Sequence, residues 1–166
     1  MDRRKGFVRG IMLATLLVVV IATAGYSATA TGSQTVTITA ANAIEISVPA
    51  TATIASTAPG ACGTTSSTIN VKSNKTWNMA IRSAPATYPN GKAKNGSTEL
   101  TNVFAYQGGD VTPYANITSI YANLFTVAQV KTGATGTNVA VSYQQCVDWL
   151  DSAGDYTIVV DYQASN

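Results

Sequence analysis

Hydrophobic and polar residues alternate one by one through much of this chain, the period of a strand rather than of a helix. In residues 34–40, Val36, Ile38 and Ala40 fall on one face and Thr35, Thr37 and Thr39 on the other, and the β-branched side chains suit extended backbone. Residues 43–48 repeat the pattern, with Ile44, Ile46 and Val48 set inward against Glu45 and Ser47, and Pro49 ends the run. Residues 68–72 offer Ile69 and Val71 as an inward pair. Residues 76–82 set Trp77, Met79 and Ile81 against Asn78, Ala80 and Arg82. With Ser73, Asn74 and Lys75 as a short turn, these two runs read as a hairpin. Trp77 has the apolar area to anchor a core between two sheets. Further strands are expected over residues 98–106, 124–130 and 139–146, the last with Val139, Val141 and Tyr143 on one face. Residues 117–130 also fit a helical stripe through Ile120, Leu124 and Val127, so the strand there competes with a helix.

Turn chemistry punctuates these runs. Residues 51–61 are small and polar, with Pro59-Gly60 as a turn. Residues 83–97 hold Pro85, Pro89, Asn90-Gly91 and Asn95-Gly96, which predicts either a long exposed loop or a loop with a short hairpin at Asn90-Gly91. Gly108-Gly109-Asp110 with Pro113 marks another loop, and Gly133 and Gly136 mark a turn within 131–138. Eight or nine short strands at regular spacing predict an all-β chain. A Greek-key sandwich is its most economical arrangement.

The stretch from Asp151 to Gln163 gives that sandwich a specific feature. Asp151, Ser152, Gly154 and Asp155 read as a turn in which Gly154 is free to take positive φ. Tyr156, Ile158, Val160 and Tyr162 then line one face of a strand over 156–163. An acidic, glycine-containing turn followed by a tyrosine resembles the tyrosine corner of immunoglobulin-like Greek-key β-sandwiches, whose phenol hydroxyl bonds back to the upstream backbone. The candidate corner residues are Asp151, Gly154 and Tyr156. In such a sandwich this strand is the penultimate one, so the expected fold lacks its last strand.

The N-terminus changes the picture of location. Arg3, Arg4, Lys5 and Arg9 precede an apolar run over residues 11–24, and Ala28-Thr29-Ala30 forms a small-x-small cleavage site. That is the layout of a secretory signal peptide. An uncleaved anchor and a prepilin leader cut at Gly6-Phe7 are the competing readings; the apolar run falls short of the roughly 20 residues a spanning helix needs. The expected organisation is residues 1–30 as signal peptide, 31–40 as an N-terminal strand available for donation, and 41–166 as the β-sandwich domain. The product is secreted or at the cell surface, and not in a membrane after cleavage. Its 136 residues suffice for one domain.

Processing also reverses the charge. The whole chain is +2 at neutral pH, but the leader alone carries +3, which leaves −1 on the remainder. The basic balance therefore belongs to the leader, and no basic stripe suggests a nucleic-acid partner. In an exported chain the isolated pair Cys62 and Cys146 most simply forms one disulfide, with two free buried thiols as the alternative.

Catalytic chemistry finds little support. The chain has no histidine, which excludes Ser-His-Asp and Cys-His arrangements and His-ligated metals. Two thiols do not complete a zinc site. No glycine-rich phosphate loop joins a strand to a helix, and no pair of carboxylates is marked as a glycosidase site. The expectation is a non-enzyme without cofactor. Asp148, Asp151 and Asp155 cluster closely enough to suggest calcium, although they lack the alternating spacing of a dedicated loop. Asn74, Asn95 and Asn116 each begin an Asn-x-Ser/Thr sequon and are candidate N-glycosylation sites. Tyr88, Tyr106, Tyr114 and Tyr121 are candidates for a glycan-stacking face, more commonly half-buried plugs.

The run from Ala153 to Tyr162, ending a chain that begins with an alternating Thr-rich segment, resembles secreted pilin-like sandwiches. These include chaperone–usher and spore-coat-U type subunits and archaeal pilus or thread subunits. The wide separation of Cys62 and Cys146 departs from the chaperone–usher pattern, whose disulfide joins neighbouring early strands, and favours the archaeal type. The resemblance implies a structural subunit that lacks its last strand and receives one from the next copy, by donor-strand complementation. Thr35, Val36, Thr37, Ile38, Thr39 and Ala40 would then be the donor strand, with Val36 and Ile38 as plugs. The implied partner is the chain itself, in a homopolymer. The alternative is a monomeric secreted adhesion module that binds a carbohydrate or protein.

Overall fold

Strands and turns make up all of the secondary structure among the described residues, in a computed structural model that describes residues 31–166. The expected signal peptide, residues 1–30, lies outside them. The chain divides into two units, Met1–Ile38 and Thr39–Asn166. In the first, the described residues form no ladder, and Val36 and Ile38 are exposed. The second holds ten strands: β1 (Ile44–Ser47), β2 (Cys62–Ser73), β3 (Asn78–Ser83), β4 (Lys94–Asn95), β5 (Thr98–Glu99), β6 (Ala105–Gly108), β7 (Val111–Asn116), β8 (Ala122–Asn123), β9 (Thr137–Cys146) and β10 (Val160–Ser165).

All pairings are antiparallel. One sheet has the order β1-β2-β9-β6-β7 and a second the order β10-β3-β8; β4 and β5 form a small separate hairpin. The two larger sheets share one core. Ile69, Val71, Val139, Val141 and Tyr143 face it from the first sheet, and Trp77, Met79 and Ile81 from the second. Each such side chain contributes about 1.5–3 kcal/mol on full burial. Trp77 also satisfies its polar edge, its indole N–H donating to the Val130 carbonyl at 2.9 Å, and meets Phe125 edge to face. Between the sheets, the Tyr143 and Tyr162 hydroxyls are hydrogen-bonded to each other. Burial, and then that bond, push the Tyr162 hydroxyl far above the usual phenol range.

Several local expectations change. Residues 68–82 do not form a hairpin: β2 and β3 belong to different sheets, and their inward faces meet across the core. Alternation identifies a strand's inward face but not its partner. β2 begins six residues before the expected strand, because its Thr- and Ser-rich first half pairs with β9 from Cys62↔Cys146 onward. Residues 98–106 are not one strand but the separate β5 and β6. The expected loop around Pro113 is instead β7, which tolerates proline because it is the edge of its sheet. Residues 124–130 provide only an isolated bridge, Gln129 to Trp77, after the two-residue β8. The short hairpin turns at Gly96-Ser97, not at Asn90-Gly91. Gly96 has φ 62° at the first central position, where a two-residue turn asks for glycine. The strand after the corner starts at Val160 rather than Tyr156; residues before it carry one isolated bridge, Thr157 to Lys94, and the Ala84 N–H donates to the Val159 carbonyl at 3.0 Å.

Candidate functional site

Two strand edges come together along one side of the sandwich. β1 ends the order of the first sheet and β10 that of the second, and the two lie beside each other. On β1, Ile44 is half-buried, but Ile46 and, just beyond the strand, Val48 are exposed, although alternation sets all three inward. On β10, Val160, Tyr162 and Ala164 pack against the core, while the outer flank of the strand has no ladder partner among the described residues. Apolar side chains and unpaired N–H and C=O groups therefore share one open seam. Such a seam attracts another strand unless it is covered.

The corner that delivers β10 is firmly built. The Tyr156 hydroxyl donates to the Ser152 carbonyl at 2.9 Å, four residues upstream. Asp151 binds the turn from both carboxylate oxygens. Oδ2 accepts from the Asp148 N–H at 2.7 Å, and Oδ1 accepts from the Thr101 N–H and hydroxyl, each at 2.7 Å. Burial pulls the Asp151 pKa upward, but these donors, led by the Asp148 N–H, outweigh it and hold the group below the ordinary carboxylate range. Gly154 has a positive φ of 157°, and a side chain there would meet Asn95 Nδ2.

At the far end of β10 the chain root of the N-terminal segment is clamped. Asn74 Oδ1 accepts from the Ala43 N–H at 3.0 Å, and its Nδ2 donates to the Ala41 carbonyl at 2.7 Å. Asn166 Nδ2 donates to the Ala43 carbonyl at 3.3 Å and to Ser73 Oγ at 3.2 Å. Residues 41–43 thus leave the sandwich at the end where β2 and β10 finish. Of the expected donor residues, Thr35, Val36, Thr37, Ile38, Thr39 and Ala40 carry no strand pairing, and all six are exposed.

The other sequence candidates fall apart from this seam. Cys62 and Cys146 face each other across β2 and β9 and are joined as a disulfide. The Asn74 amide is engaged on both sides, whereas Asn95 and Asn116 are exposed at strand ends. Tyr88 and Tyr106 are buried, so the four tyrosines make no common stacking face; Tyr121 lies under the Arg82 guanidinium at 4.2 Å. Asp148 and Asp151 are spent on the turn. Among the described residues no three carboxylates, thiols or imidazoles gather as for a metal. Likewise, no helix there is long and apolar enough to cross a membrane.

Sequence reading missed two features. The openness of Ile46 and Val48 depends on what covers β1, which no local pattern carries. Trp149 and Leu150, 81% and 85% exposed, stand in the acid-bounded turn after β9; a Trp-Leu pair between Asp148 and Asp151 was the available signal. Comparison of the chain with protein-family models, with curated proteins and with solved structures found no match.

Proposed function

We propose that the chain is a secreted, non-enzymatic structural subunit of an extracellular filament or surface assembly, joined by donor-strand exchange. In this reading it is an immunoglobulin-like sandwich whose final strand is supplied by residues 35–40 of a neighbouring copy. The observation that carries it is the open seam between β1 and β10, apolar inside and unpaired along the outer flank of β10. The alternating, exposed segment before Ala41 has the composition to fill it. Burying Val36 and Ile38, 71% and 87% exposed, is worth about 1.5–3 kcal/mol each, and a new ladder along β10 adds to that.

Topology favours exchange over self-closure. β1 starts, and β10 finishes, at the same end of the sandwich, since Ile44 pairs with Ser73 and Ser165 with Asn78. A segment of the same chain folded back along β10 runs toward Ala43 and so parallel to β10. A segment from another copy is free to lie antiparallel, the more stable pairing.

The test is assembly of the exported chain and of its Val36→Asp/Ile38→Asp variant, followed by negative-stain microscopy and unheated SDS gels. The expected result is filaments and detergent-resistant ladders from the unaltered chain and monomers from the variant, with a synthetic peptide of residues 31–40 blocking growth. A chain that stays monomeric at every concentration, or a variant that assembles equally well, refutes the reading.

A further inference from the structure

The registers give the sandwich two distinct ends. Ile44, Ser73, Asn78, Thr137 and Ser165 lie at one; Cys62, Ser83, Cys146 and Val160 lie at the other. The second end carries Trp149 and Leu150, the two most exposed large apolar side chains of the sandwich unit. Their exposure is not looseness. Asp151 N–H donates to the Asp148 carbonyl at 3.1 Å, and the Leu150 N–H donates to Asp148 Oδ1 at 2.9 Å. The base of the turn is tied to the residues just before β2 by Val147 N–H to the Ala61 carbonyl and Gly60 N–H to the Val147 carbonyl. A hydrogen-bonded turn that holds an indole and an isobutyl group in water forfeits burial unless a partner covers them.

The first end has its own exposed apolar pair, Val127 and Val130. They are fixed there by the bridge between Gln129 and Trp77, by the Asn78 Nδ2 bond to the Phe125 carbonyl, and by the Trp77 indole on the Val130 carbonyl. An incoming strand that lies antiparallel to β10 finishes beside Val160, and residues 41–43 of its own sandwich follow at once. The Ser73 end of the incoming copy is thereby brought to the Cys62 end of the receiving one. We propose that Trp149 and Leu150 are the second contact between successive subunits, docking on the Val127–Val130 end of the next copy; this rests on the strand-exchange reading. The occupant is a second copy because one head-to-tail step covers both apolar pairs. The contact is heterologous and repeats along an open polymer.

Two measurements on the exported chain decide it. The first is filament number and length for Trp149→Ser/Leu150→Ser against the unaltered chain at equal concentration, with thermal midpoints recorded. The expected result is at least a tenfold loss of filament with the midpoint unchanged, while residues 31–40 still block the residual ladder. The second is cross-linking with a short bismaleimide in mixtures of Leu150→Cys and Val130→Cys chains, both otherwise without a free thiol. A mixed Leu150–Val130 dimer supports the contact. Full-length filaments from the double serine variant, or Leu150→Cys linking only to itself, overturn it and leave strand exchange standing. An unaltered chain that never assembles removes both.

Discussion

Replacing the disulfide by Cys62→Ala/Cys146→Ala should cost this domain a substantial part of its stability while leaving its native fold in place. The bridge joins residues 84 apart in sequence. A closed loop of that size removes about 4.5 kcal/mol of chain entropy from the unfolded state. The native state loses little in exchange. Cys62 is exposed, so no core cavity opens, and the β2–β9 ladder continues from Gly63↔Gln145 to Val71↔Thr137 without the bond. The effect therefore acts on the unfolded chain, which also becomes more expanded. Equilibrium urea unfolding of the oxidised chain and the variant should show a loss of about 3–4.5 kcal/mol, and an increased m-value for the variant. A marginal domain holds only about 5–15 kcal/mol in all. A loss below about 1 kcal/mol with an unchanged m-value would refute the loop-entropy account. The turn bearing Trp149 is bonded through Val147 and Ala61, directly beside the bridge. Amide exchange there should rise first.

Two further outcomes follow from the corner. Tyr156→Phe removes one bond to the Ser152 carbonyl at a solvent-accessible site and should lower stability by about 1 kcal/mol, read by the same urea titration; no change would assign the corner's rigidity to Asp151 instead. Because the native pKa of Asp151 is depressed, its contribution is complete above the unfolded carboxyl value near 4 and is lost as pH falls through the lower native value. Asp151→Asn should therefore be destabilising at pH 7, with the gap to the unaltered chain closing as pH is lowered below about 4; a gap independent of pH would show that the carboxylate charge is not what holds the turn.

What the sequence determined by itself was local. Alternation is written residue by residue, so the faces of β3 and β9 and the inward placement of Trp77, Met79, Val139, Val141 and Tyr143 were legible at once. The bond from the Tyr156 hydroxyl to the Ser152 carbonyl is equally local, spanning only four residues. The tertiary structure decided what depends on distant partners. Period two states which face is buried but not which strand lies alongside, so β2 and β3 looked like a hairpin and are in different sheets. The Thr- and Ser-rich start of β2 has almost no apolar signal and becomes a strand only through β9. Pro113 reads as a break until its strand is seen to be an edge. The open seam is the extreme case: Ile46 has the pattern of a core residue, and among the described residues no neighbour covers it at the β1 edge, which leaves it exposed. Burial is a property of two surfaces, and a local pattern describes only one of them.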